Sequence, residues 1–178
     1  MSRFRRLCVA PVLGAVLLAL SACDDGAGDG GLVTGATEGK RPPSVALEAV
    51  QDPEGAATAG LEAYRGKILV LGFWLGGCAP CLTEMPELVE LHKAYADQGV
   101  EVLLVNVGGS PPTVRRAISD FGMRFGMTLD TLALTATRFK VGVFPTTFVI
   151  DREGVIRARL AGNRKPGTIK TAVDGLLS

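Results

Sequence analysis

The sequence predicts an α/β fold in which a central mixed β-sheet is flanked by helices on both faces. Two continuous apolar runs, Ile68–Trp74 and Val100–Val107, are typical of strands buried on both faces. Between them, residues 80–96 repeat apolar side chains at intervals of three and four, which indicates a helix. The later part of the chain continues the alternation with further helices and a hairpin, which favours a mixed sheet.

Composition and charge exclude several classes of protein. The chain has 178 residues, of which 47% are hydrophobic and 21% are charged, as expected for one folded domain rather than a disordered chain. Lys and Arg number 19 and Asp and Glu 18, and three of the arginines lie in the first six residues. The rest of the chain is therefore weakly acidic and has no basic stripe, which argues against nucleic acid as a partner.

The first 22 residues have the pattern of an export signal. Residues 2–6 are basic, and residues 7–22 are apolar or small without any charge. This apolar run is shorter than the roughly 20 residues of a membrane span, so residues 1–22 are predicted to be a signal peptide. An uncleaved anchor is the alternative.

The signal ends in a motif that resembles a bacterial lipobox, Leu-Ser-Ala-Cys over residues 20–23. The resemblance implies that Cys23 carries a lipid and anchors the protein to a bacterial membrane, facing the periplasm or the cell exterior. Asp24 and Asp25 favour the inner membrane in enteric-type bacteria. An ordinary signal followed by a chance Cys is the alternative. Residues 23–43 are rich in Gly and acidic residues, which predicts a flexible tether ahead of a folded domain over 44–178.

The first half of the domain is predicted to lead into a buried strand and a helix. Residues 44–60 are expected to form a small entry region with a hairpin, and residues 61–64 a short helical turn. After the strand Ile68–Trp74, the helix over 80–96 ends before Gly99. Pro86 lies inside this helix and is expected to kink it.

The second half is predicted to supply two helices, a hairpin and a final helix. The helices are expected over residues 113–121, after a Pro111-Pro112 loop, and over residues 132–139. The strand Thr146–Ile150 and a strand over 155–160 are joined by a turn. An amphipathic helix over 166–177 completes the domain.

Cys78 and Cys81 are the residues that carry the predicted chemistry. Cys8 leaves with the signal and Cys23 is used by the lipid, and an exported protein with one remaining pair is expected to use it as a dithiol or disulfide. The pair follows a strand and opens a helix, where free amide groups and the helix dipole favour a thiolate at Cys78. Cys81 follows nearly one turn later, at a separation that a disulfide can bridge.

The redox interpretation requires no bound cofactor. Three other roles for the Cys pair are a structural zinc site, an inert disulfide and a Cu(I) carrier. A structural zinc site needs four ligands, and His92 is the one histidine of the chain. An inert disulfide across so short a loop would constrain the unfolded chain little. A Cu(I) carrier would use both thiols and His92, since soft thiolates bind Cu(I). His92 is otherwise predicted on an exposed helix face.

Two separated motifs resemble the TlpA/ResA-type thioredoxin-like proteins. Residues 66–74 followed by 78–86 match the segment around the family's Cys pair, and residues 141–151 match the segment that carries its cis-proline. The resemblance covers roughly residues 44–178. It implies a thioredoxin-like fold and a membrane-tethered, extracytoplasmic thiol–disulfide oxidoreductase. It also implies a reducing direction, client proteins with disulfides, such as haem-attachment or copper-ligand thiols, and an unidentified membrane electron donor.

The resemblance also assigns roles to individual residues. It implies that Cys78 is the attacking thiolate, that Cys81 resolves the mixed disulfide, and that the two form a disulfide. Pro145 is implied to be the cis-proline that faces this disulfide. Glu84 matches the family's glutamate, while its spacing from Cys81 alone fits a surface carboxylate equally well. The residues expected to contact a bound partner are Gly77, Trp74, Phe144 and Thr146.

The chain departs from the family pattern beside the Cys pair. Gly77 stands where an aromatic residue is usual, which predicts a more open and flexible rim. Gly72 stands where many relatives have Asp or Asn, so Glu84 becomes more important as the proton acceptor for Cys81. Phe144 is bulky for its position and is expected to narrow the choice of partner. A peroxiredoxin-like peroxidase is the remaining alternative, but no Thr and Arg flank Cys78 in the sequence.

Overall fold

The computed structural model describes residues 36–51 and 60–178. Within them, six strands form one sheet: β1 (Glu48–Gln51), β2 (Ile68–Trp74), β3 (Val100–Val107), β4 (Gly126–Asp130), β5 (Thr146–Ile150) and β6 (Ile156–Ala161). The helices are α1 (Ala79–Tyr95), α2 (Pro111–Phe121), α3 (Leu134–Arg138) and α4 (Thr168–Leu177), with 3₁₀ turns at Leu61–Tyr64 and Ala96–Gln98. The predicted signal peptide, the predicted lipidation site Cys23 and most of the predicted tether lie outside the described residues.

The sheet is mixed, as predicted, and its strands lie in the order β1-β4-β3-β2-β5-β6. The three strands β2, β3 and β4 run parallel, and β5 and β1 lie antiparallel to β2 and β4 respectively. The strand β6 pairs antiparallel with β5 and forms the predicted hairpin. Because β2 lies between β3 and β5, it is a central strand with pairing partners on both sides.

Both faces of the sheet are covered, which confirms the predicted layers. Every residue of β2 is buried, and its side chains alternate between two apolar clusters. Ile68, Val70 and Trp74 belong to the cluster that also contains side chains of α1, α2 and α4. Leu69, Leu71 and Phe73 belong to the second cluster, with side chains from α3 and the first 3₁₀ turn. Burial of this apolar surface on both sides is the main stabilising contribution of the strand.

Two features of the fold differ from the prediction, namely the additional strand β4 and the start of the helix α2. The short strand β4 was not predicted, and it pairs with β1, so β1 forms an edge of the sheet. The second arm of the predicted entry hairpin falls mostly on residues 52–59, which lie outside the described residues. The helix α2 begins at Pro111 rather than after a loop, because a proline is tolerated in the first helical turn. Pro86 lies within α1 without ending it.

The carboxyl ends of β2, β3 and β4 form one edge of the sheet, across the ends of the strands, and bring several loops together there. Trp74 is in register with Asn106 of β3, and Asn106 is in register with Leu129 of β4. The start of β5 lies at the same edge, since Thr146 pairs with Phe73 in the antiparallel ladder. The segment after β2, which contains both cysteines, therefore lies beside the segment that precedes β5.

Gly72 occupies a position in β2 that leaves no room for a side chain. A Cβ atom at this residue would lie 2.5 Å from Cδ2 of Leu104, which is itself buried in β3. Many relatives have a polar residue at this position. In this chain Leu104 packs against the backbone of Gly72 instead. We expect Gly72→Ala to lower the free energy of unfolding by about 1–3 kcal/mol, because the added methyl overpacks the core.

Urea unfolding of the oxidised full chain measures this change. Gly142→Ala is the matched control, because Gly142 is exposed and a Cβ atom there would meet nothing within 4 Å. We expect the control to change the free energy of unfolding by less than about 0.5 kcal/mol. Equal stability of the two variants would contradict the packing argument.

Candidate active site

Cys78 and Cys81 form a disulfide at the N-terminus of α1. Their Cα atoms are 5.2 Å apart, and Cys78 is the N-cap residue of the helix. The Sγ atom of Cys78 accepts a hydrogen bond from the backbone N–H of Cys81 at 3.3 Å. Cys81 is only 1% exposed, whereas Cys78 is half-buried. The two sulfurs are therefore unequal, since solvent reaches Cys78 and the helix covers Cys81.

The backbone beside Cys78 is open to solvent. Gly77 has a φ of 76°, a left-handed conformation that glycine adopts without the cost of a Cβ contact. A Cβ atom at Gly77 would meet nothing within 4 Å, and both Gly76 and Gly77 are exposed. The structure thus agrees with the predicted open rim at Gly77.

The peptide bond between Phe144 and Pro145 is cis, as the resemblance implied. Pro145 precedes β5 and lines a small cavity of about 10 Å³ together with Cys81, Glu84 and Thr147. Phe144 itself is half-buried. The cis-proline segment and the buried sulfur of the disulfide therefore border the same space.

Glu84 is turned inward, one helical turn after Cys81. Its side chain is 12% exposed, and its Oε1 atom accepts hydrogen bonds from Thr147 Oγ1 at 2.9 Å and from Arg164 Nη2 at 2.6 Å. Sequence spacing left the surface and the buried orientation equally open. The structure selects the buried one, and it places the carboxylate at the cavity that Cys81 also lines.

Arg164 was not identified from the sequence. It lies between β6 and α4, 80 residues from Glu84, and its side chain is 11% exposed. Its Nη1 atom donates to the carbonyl oxygens of Leu160 at 2.7 Å and Gly162 at 3.1 Å. One arginine in a loop carries no local pattern, so the chain offers no signal that would have placed it at the site.

Burial raises the pKa of the Glu84 carboxyl above its usual range. The ion pair with Arg164 and the hydrogen bond from Thr147 lower this pKa, and the neighbouring charge of Glu87 raises it further. The effect of burial is the largest, so the pKa stays raised. A carboxyl group of this kind exchanges protons closer to neutral pH than an exposed one.

Two residues that were predicted to contact a bound partner have buried side chains. Trp74 is 2% exposed and packs in the apolar cluster beneath α1, and its Nε1 atom has no hydrogen-bond partner within the described part of the chain. Thr146 is 0% exposed, and its hydroxyl donates to the carbonyl oxygen of Val143 at 2.7 Å. Both side chains face the interior because both residues lie on central strands. Gly77 and Phe144 retain surface that a partner can reach.

His92 does not lie on an exposed face, which corrects the prediction. It is half-buried, with its ring 5.5 Å from that of Phe125 and its Nε2 atom 3.7 Å from Oε2 of Glu101. It is eleven residues after Cys81 on α1, or about 16 Å along the helix axis. Residues 36–51 and 60–178 bring together no three His, Cys, Asp or Glu side chains able to hold a metal ion.

None of the helices in the described ranges combines the length and the apolar character needed to cross a bilayer.

The different exposure of the two sulfurs predicts different reactivity after reduction. We expect iodoacetamide to alkylate Cys78 at least about tenfold faster than Cys81, because Cys78 is accessible and lies at a helix N-terminus. Mass spectrometry of the reduced full chain at short reaction times measures the two rates. Cys78→Ser and Cys81→Ser are the controls, because each keeps only one thiol of the pair. Equal alkylation of the two thiols would contradict the assignment of Cys78 as the accessible thiol.

Comparisons with known proteins agree with this geometry. Residues 39–159 match the family described as the AhpC/TSA family. A thiol-disulfide oxidoreductase ResA from Geobacillus kaustophilus is 36% identical over 116 residues, which cover 65% of this chain and 67% of the relative. A ResA from Bacillus subtilis is 35% identical over 120 residues, covering 67% of this chain and 65% of the relative. The match thus spans about two thirds of the length of these relatives.

Solved structures show the same fold. A putative thiol:disulfide interchange protein DsbE from Chlorobium tepidum has a TM-score of 0.70 at 22% identity, covering 80% of this chain and 99% of that one. A DsbF homologue from Corynebacterium diphtheriae has a TM-score of 0.67 at 26% identity, covering 83% and 96%. The chain therefore has a thioredoxin-like fold, belongs to the AhpC/TSA family and is a relative of the ResA thiol-disulfide oxidoreductases.

Proposed function

We propose that this protein is a thiol–disulfide oxidoreductase that is tethered outside the cytoplasmic membrane and reduces disulfides in exported client proteins. The observation that carries the redox activity is the unequal disulfide at the start of α1, with Cys78 accessible and Cys81 buried beside Glu84. The similarity to proteins named thiol-disulfide oxidoreductase ResA supports the same activity.

Reduction of a client begins at Cys78. Its thiolate attacks one sulfur of the client disulfide, the client S–S bond breaks, and the other client sulfur leaves as a thiolate. The N-terminus of α1 favours the charged form of Cys78, because the dipole and the free amide groups of the first turn stabilise a thiolate. The product of this step is a mixed disulfide between Cys78 and the client.

Cys81 then resolves the mixed disulfide. Its thiol gives a proton to the Glu84 carboxylate, and the resulting thiolate attacks the Sγ atom of Cys78. The bond between Cys78 and the client breaks, and the second client sulfur leaves as a thiolate. The two client thiolates each take up a proton from water, and Glu84 releases the Cys81 proton to water. The client has gained two electrons and two protons, and the Cys78–Cys81 disulfide is formed. A membrane protein with a reduced dithiol is the class of donor that returns the pair to the dithiol state.

The tether and the location belong to the same proposal. The export pattern of residues 1–22, the lipobox resemblance at Cys23 and the Gly-rich segment after it support a lipid-anchored domain that faces the periplasm or the cell exterior. Asp24 and Asp25 favour the inner membrane. Clients with paired thiols, such as those that attach haem or bind copper, fit a reductase in such an oxidising compartment.

The geometry favours this activity over the two alternatives. A Cu(I) carrier that uses His92 would need that residue beside the cysteines, and it lies about 16 Å further along the helix axis. A peroxidase would need a Thr and an Arg beside the attacking sulfur. The structure does bring Thr147 and Arg164 to the site, but both are hydrogen-bonded to Glu84.

Removal of the attacking sulfur tests the mechanism directly. We expect Cys78→Ser to abolish the reduction of insulin disulfides by the full chain, because no accessible thiolate remains at the helix N-terminus. Cys81→Ser is the matched variant, and we expect it to accumulate a stable mixed disulfide with the client that non-reducing electrophoresis detects. Retained reductase activity in Cys78→Ser would overturn the mechanism.

The reduction potential of the pair tests the direction of electron flow. We expect a value near or below about −220 mV, on the thioredoxin and glutaredoxin side of the scale, as a reductase requires. Equilibration of the full chain in glutathione and dithiothreitol buffers, followed by alkylation and mass spectrometry at Cys78 and Cys81, gives this value. A potential near about −120 mV would make the protein an oxidant that inserts disulfides.

A further inference from the structure

Arg164 links the loop after β6 to the proton acceptor of the site. We propose that Arg164 is a positioning residue, which holds the Glu84 carboxylate at the Cys81 cavity and keeps it ionised so that it can accept the Cys81 proton. This inference rests on the proposed function, in which Glu84 is that acceptor. It adds a residue that neither the sequence pattern nor the similarity to known proteins assigns.

The guanidinium group of Arg164 is fixed from two directions. Its Nη1 atom donates to the carbonyl oxygens of Leu160 and Gly162, while Nη2 donates to Glu84 Oε1 at 2.6 Å. The Nη2 atom also lies 3.2 Å from the Thr147 hydroxyl oxygen, which accepts its hydrogen bond. A planar fork of donors satisfies these acceptors together, whereas the single ammonium group of a lysine does not.

The same contacts connect Arg164 to the cis-proline segment. The backbone N–H of Gly162 donates to the carbonyl oxygen of Pro145 at 2.8 Å, and the carbonyl oxygen of Gly162 accepts from Arg164. Pro145 and Glu84 both line the cavity that contains Cys81. Arg164 therefore fixes the carboxylate relative to the Cys81 cavity and the segment that borders it.

The charge of Arg164 matters because the carboxylate is buried. Desolvation favours the protonated form of Glu84, and a protonated carboxyl cannot accept the Cys81 proton. On α1, the charge of Glu87 also favours the protonated form, although its Oε1 atom accepts from the Gly167 N–H at 3.2 Å. Arg164 and the Thr147 hydroxyl of β5 oppose both effects. Lys165 and Asn163 of the same loop also face this region, but both are exposed to solvent.

The cavity offers no other carboxylate for the proton. Among its described lining residues, Glu84 is the one with a carboxyl group, and Gly72 contributes no side chain from β2. In the proposed step the S–H bond of Cys81 breaks, the proton moves to Glu84 and the electron pair stays on sulfur. Arg164 keeps its own proton and charge throughout, since a guanidinium does not deprotonate in proteins.

Single-turnover kinetics separate the two chemical steps. The reduced full chain is mixed with an excess of an aromatic disulfide whose released thiolate absorbs visible light. The first release reports attack by Cys78, and the second reports resolution by Cys81. A Cys78→Ser chain provides the blank for the remaining thiols. Each rate is measured across a pH series, because the proposal concerns the ionisation of one carboxyl group.

We expect Arg164→Gln to leave the attack rate within about twofold of the original and to slow resolution at least about tenfold at mildly acidic pH. Arg164 lowers the pKa of Glu84, so its removal raises that pKa and moves the acid limb of the resolution rate to higher pH. Arg164→Lys keeps the charge but loses the fork, and we expect a smaller shift in the same direction. If Arg164→Gln does not fold, an unshifted limb in Arg164→Lys overturns the proposal.

A matched control and a double variant separate positioning from structural support. Arg157→Gln removes an ion-paired arginine that lies in β6 itself and whose partner Asp151 follows the end of β5 that is far from Pro145, and we expect both rates to be unchanged. In a Glu84→Gln chain, adding Arg164→Gln should slow resolution no further. Equal slowing by Arg164→Gln with and without Glu84 would overturn the proposal.

The failure of the proposed function gives a different result. An unchanged resolution rate in Glu84→Gln alone would remove Glu84 as the proton acceptor, and Arg164 would then have no acceptor to position. If the acid limb of the resolution rate stays at the same pH in Arg164→Gln, while Glu84→Gln still slows resolution, only the role of Arg164 is overturned.

Discussion

The burial of β2 on both faces determines where the reactive sulfurs lie. A strand with seven buried residues is held in the middle of the sheet, and the chain can leave it only at the edge where the strand ends. The helix α1 then returns across one face, so its N-terminus stays at that edge and Cys78 caps it. Pairing of β5 with β2 brings Pro145 to the same edge. The position of the pair thus follows from packing of the core rather than from contacts between the site residues.

The Glu84 carboxylate beneath the Cys pair depends on polar contacts instead, because apolar packing alone would be unfavourable for a buried charge. Burial of a charge costs free energy unless the charge is paired and hydrogen-bonded. Glu84 receives two donors on one oxygen, one from β5 and one from the loop after β6. The incomplete compensation leaves the pKa of the carboxyl raised, which suits a group that must take up and release a proton. A fully compensated carboxylate would be a weaker base for Cys81.

Sequence reasoning succeeded where the signal is local and failed where it depends on the fold. The apolar run of β2, the helical spacing of α1 and the position of the Cys pair are all contained in neighbouring residues. The strand β4 has only five residues, so its apolar–polar alternation is too short to identify a strand, and its place follows from its pairing with β1 and β3. Arg164 reaches Glu84 across 80 residues and therefore left no local pattern. The burial of Trp74 also depends on the fold, because side chains of α1 belong to the cluster in which it packs.

The two steps of the proposed reaction depend on different parts of the molecule, and the departures from the family pattern divide in the same way. The open backbone at Gly77 and the half-buried Phe144 change the surface that a client meets before the proposed attack by Cys78. Gly72 lies on the buried side, where it lines the same cavity as Cys81 and Glu84 and where the proposed proton transfer takes place. Variation at the exposed positions can therefore alter the choice of client without altering the proton transfer. Variation at the buried positions acts instead on the proposed proton transfer, because Glu84 is the one carboxylate among the described residues that line the cavity of about 10 Å³.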